Sequence, residues 1–281
     1  MSGKRLLLTG GTGFVGRNVL PIFRERYEVV APTRQELDLS NPVKVREYLR
    51  WHKFDYLVHA AICNPAKQLD ADKEVCADTL VSFMALCAGE FEKVVFIGSG
   101  AEFDKARDIR YVSEDDFGER IPADGYGIAK YALTEIARRS TNIYNARIFG
   151  CYGPGEPERR FIRHAIACCQ LDSPITIRKD CKFSYVLVSD LGRAIVRILD
   201  GNPRRHDYNI CGDDPRLLSE IAEVVRREMA VDRPVQILDG DLANEYSCNG
   251  LAFRREFADF SFTDLSVGVR KEIGWMKGHL Q

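Results

Sequence analysis

Along the chain, short unbroken apolar runs alternate with longer stretches whose apolar positions recur every three or four residues. The first kind reads as buried strand and the second as amphipathic helix. Lys4–Thr9 is strand-like, and Phe14–Arg26 helical with Pro21 inside it, a residue that weakens or kinks a helix. Glu28–Ala31 and the short Leu37–Leu39 read as the second and third strands, and Asn41–His52 as a helix opened by Asn-Pro. Asp55–Ala60 is a fourth strand, Lys73–Ala88 a helix, Lys93–Ile97 a fifth strand, Tyr126–Arg139 a helix and Ile143–Ile148 a sixth strand. Strands that are apolar throughout are covered on both faces. Their alternation with helices predicts an α/β fold, a Rossmann-like, doubly wound parallel sheet.

After residue 150 the rhythm changes. Pro and Gly punctuate Gly153–Pro157, and a helix follows near Arg160–Cys169. Ile175–Ile177, Tyr185–Val188, Tyr208–Cys211 and Val235–Leu238 read as strands, Asp190–Leu199 and Ser219–Met229 as helices. The expected organisation is a dinucleotide-binding domain over 1–152, with 183–212 threading back into it. A smaller C-terminal substrate lobe then comprises 153–182 and 213–281.

Residues 9–16 read Thr-Gly-Gly-Thr-Gly-Phe-Val-Gly, directly between the first strand and the first helix. Gly10, Gly13 and Gly16 give G-x-x-G-x-x-G. Such a segment turns tightly, lets a pyrophosphate approach its backbone, and starts a helix whose first amides face the phosphates. Thr12, Phe14 and Val15 complete the loop. NAD sites often place a carboxylate at the end of the second strand, on the ribose hydroxyls. Here that end reads Ala31-Pro32-Thr33-Arg34. A guanidinium suits a 2′-phosphate, so NADP is expected ahead of NAD. Asp38, next to Leu39, either accepts from the adenine amino group or merely caps Leu39-Ser40.

Tyr126-Gly-Ile-Ala-Lys130 places a phenol and an ammonium on one helical face. A free phenol titrates near pH about 10, and a neighbouring cation lowers that value. Tyr126 then acts as general acid or base on a carbonyl/alcohol pair, with Lys130 also on the nicotinamide ribose.

Composition narrows the classes. The chain has 281 residues, 45% hydrophobic and 29% charged, enough for a sizeable core. Forty Lys plus Arg against 41 Asp plus Glu leave a net charge of −1, which argues against a nucleic-acid partner. No apolar run reaches membrane-spanning length, and the N-terminal apolar stretch leads straight into the glycine motif, so a cytoplasmic protein without a membrane partner is expected. The nine cysteines include no C-x-x-C pair and the five histidines are scattered, so neither a disulfide framework nor a zinc site is expected.

The motifs Thr9–Gly16, Asp55–Ala61, Val94–Phe103, Tyr126–Lys130 and Tyr152-Gly-Pro-Gly together resemble the extended short-chain dehydrogenase/reductases, the group of NAD-dependent nucleotide-sugar epimerases, dehydratases and reductases. The resemblance implies a catalytic Ser99, four residues before the aromatic Phe103, to hydrogen-bond the reacting oxygen. It implies that backbone at Ala60-Ala61 and at Phe149, Gly150 and Cys151 lines the cofactor. It also implies a homodimer formed through Lys73–Ala88 and Tyr126–Arg139. The group's 4,6-dehydratases carry Asp-Glu directly after the catalytic hydroxyl. Gly100-Ala101 stand there instead and Glu102 is one place further, which disfavours dehydration. Phe96–Asp104 and Thr33–Leu39 are similar to GDP-fucose synthase-like 4-keto-sugar reductases.

Two departures matter. Gly150 stands where many sugar-nucleotide enzymes have Asn, and Phe183 where many have the Arg that holds the diphosphate. Lys179, Lys182 and Arg163 are candidate replacements. Cys76 stands near another common Asn. The expected activity is NAD(P)-dependent reduction or epimerisation of a nucleotide-sugar, most simply at a 4-keto carbon. The alternatives are a dehydrogenase of a non-sugar alcohol and a non-catalytic NADP-binding sensor or scaffold.

Overall fold

The computed structural model describes residues 3–62, 72–212 and 214–279; Cys63 lies outside them. In chain order the elements are β1 (Arg5–Thr9), α1 (Phe14–Arg24), β2 (Glu28–Val30), α2 (Pro42–Trp51), β3 (Tyr56–His59), α3 (Asp72–Cys87) and β4 (Lys93–Ser99). They continue with β5 (Ile109–Val112), α4 (Gly125–Arg138), β6 (Ile143–Ile148), β7 (Gly150–Tyr152), α5 (Phe161–Gln170), β8 (Ile175–Lys179), β9 (Lys182–Phe183) and β10 (Tyr185–Leu187). The last are α6 (Val188–Asp200), β11 (Asp207–Asn209), β12 (Arg216–Leu217), α7 (Leu218–Met229), β13 (Val235–Asp239), β14 (Tyr246–Cys248), α8 (Leu251–Glu256) and α9 (Leu265–His279).

Six strands form a central sheet in the order β11-β6-β4-β3-β1-β2, and every pair in it is parallel. Alternate side chains of each strand enter different cores. Leu6, Leu8, Val58, Val95 and Ile97 pack with Val19 and Phe23 of α1 and Leu191 and Ile195 of α6. Leu7, Leu57, Val94 and Phe96 pack with α2, α3 and α4 through Val45, Leu49, Phe83, Leu86 and Leu133. This double coverage is why the strands are apolar without alternation. A third core joins α5, α7 and α9 over β8, around Ile162, Ile166, Ile177, Ile221, Val225 and Val269.

Leu37–Leu39 is not a strand. Glu36 accepts from Thr33 N–H at 2.7 Å, and Asp38 accepts from both the backbone and the hydroxyl of Ser40, at 3.1 and 2.8 Å. These local bonds fold the segment into turns, while Leu37 drops into the core and Leu39 packs against its edge. Asn41 caps α2 as expected, accepting from Val43 and Lys44 N–H at 3.1 Å each.

β1 is flanked by β2 on one side and β3 on the other, so the winding reverses there. The crevice beyond the carboxyl ends of β1 and β3 is where a doubly wound sheet binds its ligand. Beside it lies a four-stranded sheet in the order β12-β9-β14-β5, and β7 pairs with β10.

Candidate active site

The glycine loop occupies that crevice. Gly10 has φ +77°, and a β-carbon there would sit 2.6 Å from Ala61 N, so only glycine lets the ends of β1 and β3 come this close. Gly13 donates to the Gly10 carbonyl at 3.0 Å and is the N-cap of α1, whose first turn carries Phe14, Val15 and Gly16. Next to the loop is a cleft of about 320 Å³ lined by Thr9, Gly10, Thr12, Pro32, Arg34, Leu37, Asp38, Leu39, Ser40, Ala61, Ile62 and Asp78. Gly10, Thr12, Arg34, Asp38, Leu39 and Ala61, singled out from separate stretches of sequence, thus share one wall. Ala60 hydrogen-bonds the Thr9 carbonyl at the loop's base. Arg34 is well exposed, its one ion pair among the described residues a loose 3.8 Å contact with Asp38. Asp38 caps Ser40, which holds its carboxyl below the usual range.

Ser99 ends β4 and caps the single helical turn Gly100–Phe103, its hydroxyl accepting from Ala101 N–H at 3.2 Å. Asp124 caps α4 by accepting from Gly127 N–H at 3.0 Å, which fixes Tyr126 and Lys130 on successive turns. The Ser99 hydroxyl neighbours the Tyr126 phenol and favours its ionised form. The Lys130 ammonium lies 5.9 Å from the Tyr126 ring centroid and donates to the Ile97 carbonyl at 2.8 Å. Ser99, Tyr126 and Lys130 therefore converge at the carboxyl end of β4. Burial outweighs the influence of Ser99 and holds the phenol above the ordinary tyrosine value, opposite to the lowering expected from Lys130 alone.

Glu102 takes no part in this cluster. It is fully buried with Arg147, at 2.7 Å, and also accepts from Thr134, Asn145 and the Ser99 amide. A side chain at Gly100 would run into Phe149 at 2.4 Å and Tyr246 at 2.8 Å. Of the two dehydratase acid positions, 100 is thus sterically filled and 101 holds a buried alanine, while Glu102 beyond them is committed to the core.

Phe149 and Gly150 belong to an aromatic layer rather than the cleft. Phe149 and Phe183 flank Tyr246, with ring centroids at 5.0 and 4.9 Å, and Phe183 packs on Tyr185 at 5.0 Å. A β-carbon at Gly150 would meet the Tyr185 ring at 2.7 Å and Phe183 at 3.0 Å, so the two departures from the sugar-nucleotide pattern fit each other. Cys151 is buried in the core, its thiol pushed up to about 12 by burial. Cys76, on α3, has its thiol raised by burial as well.

The candidate cations divide sharply. Arg163 is paired with Glu272 at 3.5 Å and Glu158 at 3.7 Å, and Lys179 with Asp239 at 3.1 Å. Lys182 precedes Phe183 on β9 and so projects from the opposite face. Arg160, passed over in the sequence, is exposed and makes no ion pair among the described residues. Its guanidinium donates to the Cys151 carbonyl at 2.8 Å, sits 5.7 Å from the Phe14 ring centroid, and acts electrostatically on Tyr126.

The sequence profile of the NAD-dependent epimerase/dehydratase family matches residues 6–211. The chain is 42% identical over 221 residues to GDP-6-deoxy-D-talose 4-dehydrogenase of Aggregatibacter actinomycetemcomitans, covering 74% of each. It is 48% identical to GDP-L-fucose synthase of Azorhizobium caulinodans over 60 residues, a stretch that spans 21% of this chain and only 19% of that enzyme. A solved GDP-L-fucose synthetase from Naegleria fowleri, bound to NADP, superposes with a TM-score of 0.85 at 13% identity, over 100% of this chain and 94% of that one. The chain belongs to the NAD-dependent epimerase/dehydratase family.

Proposed function

We propose that this chain is an NADP(H)-dependent oxidoreductase that interconverts a 4-keto and a 4-hydroxy nucleotide-sugar, its substrate a GDP-linked 6-deoxyhexose. The observation that carries the proposal is the meeting of Ser99, Tyr126 and Lys130 beside the glycine-loop cleft. The names of the two sequence relatives, both GDP-sugar enzymes, support the substrate class.

The residues present fit the cofactor. Gly10, Thr12, Gly13, Phe14, Val15 and Gly16 would take the pyrophosphate, Arg34 the 2′-phosphate, Asp38, Leu39, Ala60 and Ala61 the adenosine side, and Lys130 the nicotinamide ribose. When bound, the cofactor supplies or accepts the hydride. Tyr126 is positioned to give the proton the carbonyl oxygen needs, since a phenol is protonated at neutral pH. Ser99 hydrogen-bonds the same oxygen as charge develops on it. Epimerisation at a carbon beside the ketone also needs a base at that ring C–H. The carboxylates nearest along the chain are committed elsewhere, Glu102 to Arg147 and Asp124 to the α4 cap and Lys105, so reduction is the better reading beside such an epimerisation.

Arg160 takes the diphosphate in this reading, replacing the arginine that Phe183 displaces. The return of β11 to the edge of the central sheet supports a cofactor lobe of 1–152 with 183–212, and a substrate lobe of 153–182 with 213–281. A homodimer through α3 and α4 fits the exposed apolar side chains Val81, Met84 and Ile128 on those helices. A cytoplasmic location fits the unpaired thiols among the described residues.

The test is reduction of GDP-4-keto-6-deoxymannose, followed as loss of NADPH absorbance. Tyr126→Phe is expected to abolish turnover with NADPH affinity unchanged. Wild-type turnover in that variant would refute the assignment.

A further inference from the structure

Tyr246 is 147 residues from Ser99 in sequence, yet its hydroxyl lies 3.3 Å from the Ser99 hydroxyl. It sits on β14, and its backbone carbonyl accepts from Ser184 N–H at 3.1 Å. Phe149 and Phe183 hold its ring, and the ring itself fills the space a side chain at Gly100 would need. A phenol clamped on this many sides has one orientation for its hydroxyl oxygen.

A serine hydroxyl has one proton to give and two lone pairs to receive. Ala101 N–H occupies one lone pair of Ser99. Its other observed hydrogen-bond contact is Tyr246, at 3.3 Å, and on the remaining side it neighbours the Tyr126 phenol. If Ser99 gave its proton to Tyr246, nothing would be left for the oxygen beside Tyr126. If Tyr246 donates to Ser99, both lone pairs are filled and the Ser99 proton is directed toward Tyr126, where the ketone oxygen binds in the reductase reading. Hydroxyls linked in this sense also polarise one another.

We propose that Tyr246 is a positioning residue of the hydride-transfer site, donating to Ser99 so that the Ser99 proton is aimed at the oxygen of the bound ketone. This rests on the reductase reading. Tyr246 keeps its own proton throughout, and the proton gained by the ketone oxygen comes from Tyr126. The catalytic hydroxyl at the end of the central sheet is thereby oriented by a strand of the neighbouring sheet that also carries Phe183, so substrate contacts and chemistry share one support.

Tyr246→Phe keeps the ring and removes the donor. The expected result is a fall in kcat of about tenfold, the worth of one hydrogen bond, with KM and NADPH affinity changed by less than about twofold. In a Ser99→Ala background the same substitution should add nothing, since its effect passes through Ser99. A readout independent of substrate is the Tyr126 phenolate absorbance, taken as the difference from Tyr126→Phe. In Tyr246→Phe it should titrate at higher pH, because Ser99 stabilises the phenolate less. Additive losses in the two backgrounds, unchanged kcat, or a loss explained by lowered melting temperature would each overturn the proposal. The reductase reading fails separately, if Tyr126→Phe retains turnover.

Discussion

Glu102→Gln separates a structural carboxylate from a catalytic one. Glu102 and Arg147 are both completely buried and 2.7 Å apart, and Arg147 also reaches Asp207 at 2.9 Å and Asn209 at 2.9 Å. Removing one partner of such a pair generally costs about 3–5 kcal/mol, because the other charge is left buried. Arg147 retains Asp207, itself shared with Arg138 at 3.0 Å, so the lower end applies, about 3 kcal/mol. For a chain of this size that is a fall in melting temperature of roughly 6–12 °C. The substituted side-chain amide still offers an oxygen to the Ser99 N–H, which Glu102 Oε1 accepts at 2.9 Å in the native chain. Turnover at temperatures where the variant is folded should therefore stay within about threefold. Urea unfolding and thermal scans measure the first quantity, and NADPH-linked turnover the second. A variant as stable as wild type to within about 1 kcal/mol, yet inactive, would refute the reasoning and return Glu102 to the acid–base role of a dehydratase.

Three further outcomes follow from the same geometry. Arg34→Ala should weaken NADP(H) about tenfold or more, the worth of a charged hydrogen bond, and leave NAD(H) nearly unchanged in titrations of each; equal weakening of both would remove Arg34 from the 2′-phosphate. Arg160→Met should raise KM for the nucleotide-sugar about tenfold with NADPH affinity intact, whereas a loss confined to NADPH would place Arg160 on the cofactor instead. Burial raises the Glu156 carboxyl to about 8 and the Glu272 carboxyl to about 7, against the facing cations Arg17, Arg160 and Arg163. The folded chain then holds protons that the unfolded chain has released, so this pair's stabilisation is full below about pH 4.5 and is lost as pH rises toward 8. Urea unfolding across that window should show Glu156→Gln gaining on wild type as pH rises, and a constant difference would refute the assignment.

What was legible in the sequence depended on how local the deciding contacts are. β1, β3, β4 and β6 are covered on both faces by helices, mostly their neighbours in the chain, so their apolar runs announce them. The glycine loop is equally local: Gly10 must be glycine because β3 ends against it. Leu37–Leu39 misled because its leucines look like a strand, while Asp38 bonds to Ser40 two residues on. β9, β12 and β14 are two or three residues long and exist through partners far away in sequence: Phe183 pairs with Arg216 and with Tyr246. Two or three residues display no period, so Tyr246 carried no signal at all. Arg160 was hidden differently, among the arginines of Arg159-Arg160-Phe161-Ile162-Arg163, and was distinguished only when its neighbour Arg163 proved to be paired.

The departures at Gly150 and Phe183 acquire a single explanation once Tyr246 is in view. An arginine at 183 would replace a ring that packs on both Tyr246 and Tyr185, and a side chain at 150 would displace the Tyr185 ring. The aromatic layer therefore occupies the places of both polar groups together. What it provides in exchange is a rigid, low-dielectric wall from which the Tyr246 hydroxyl reaches Ser99. The same wall fills the place of an acid at Gly100. Glycine at 100, glycine at 150 and phenylalanine at 183 then share one origin in packing. In the proposed reductase reading, that packing leaves room for proton delivery from Tyr126 and none for an acid at position 100.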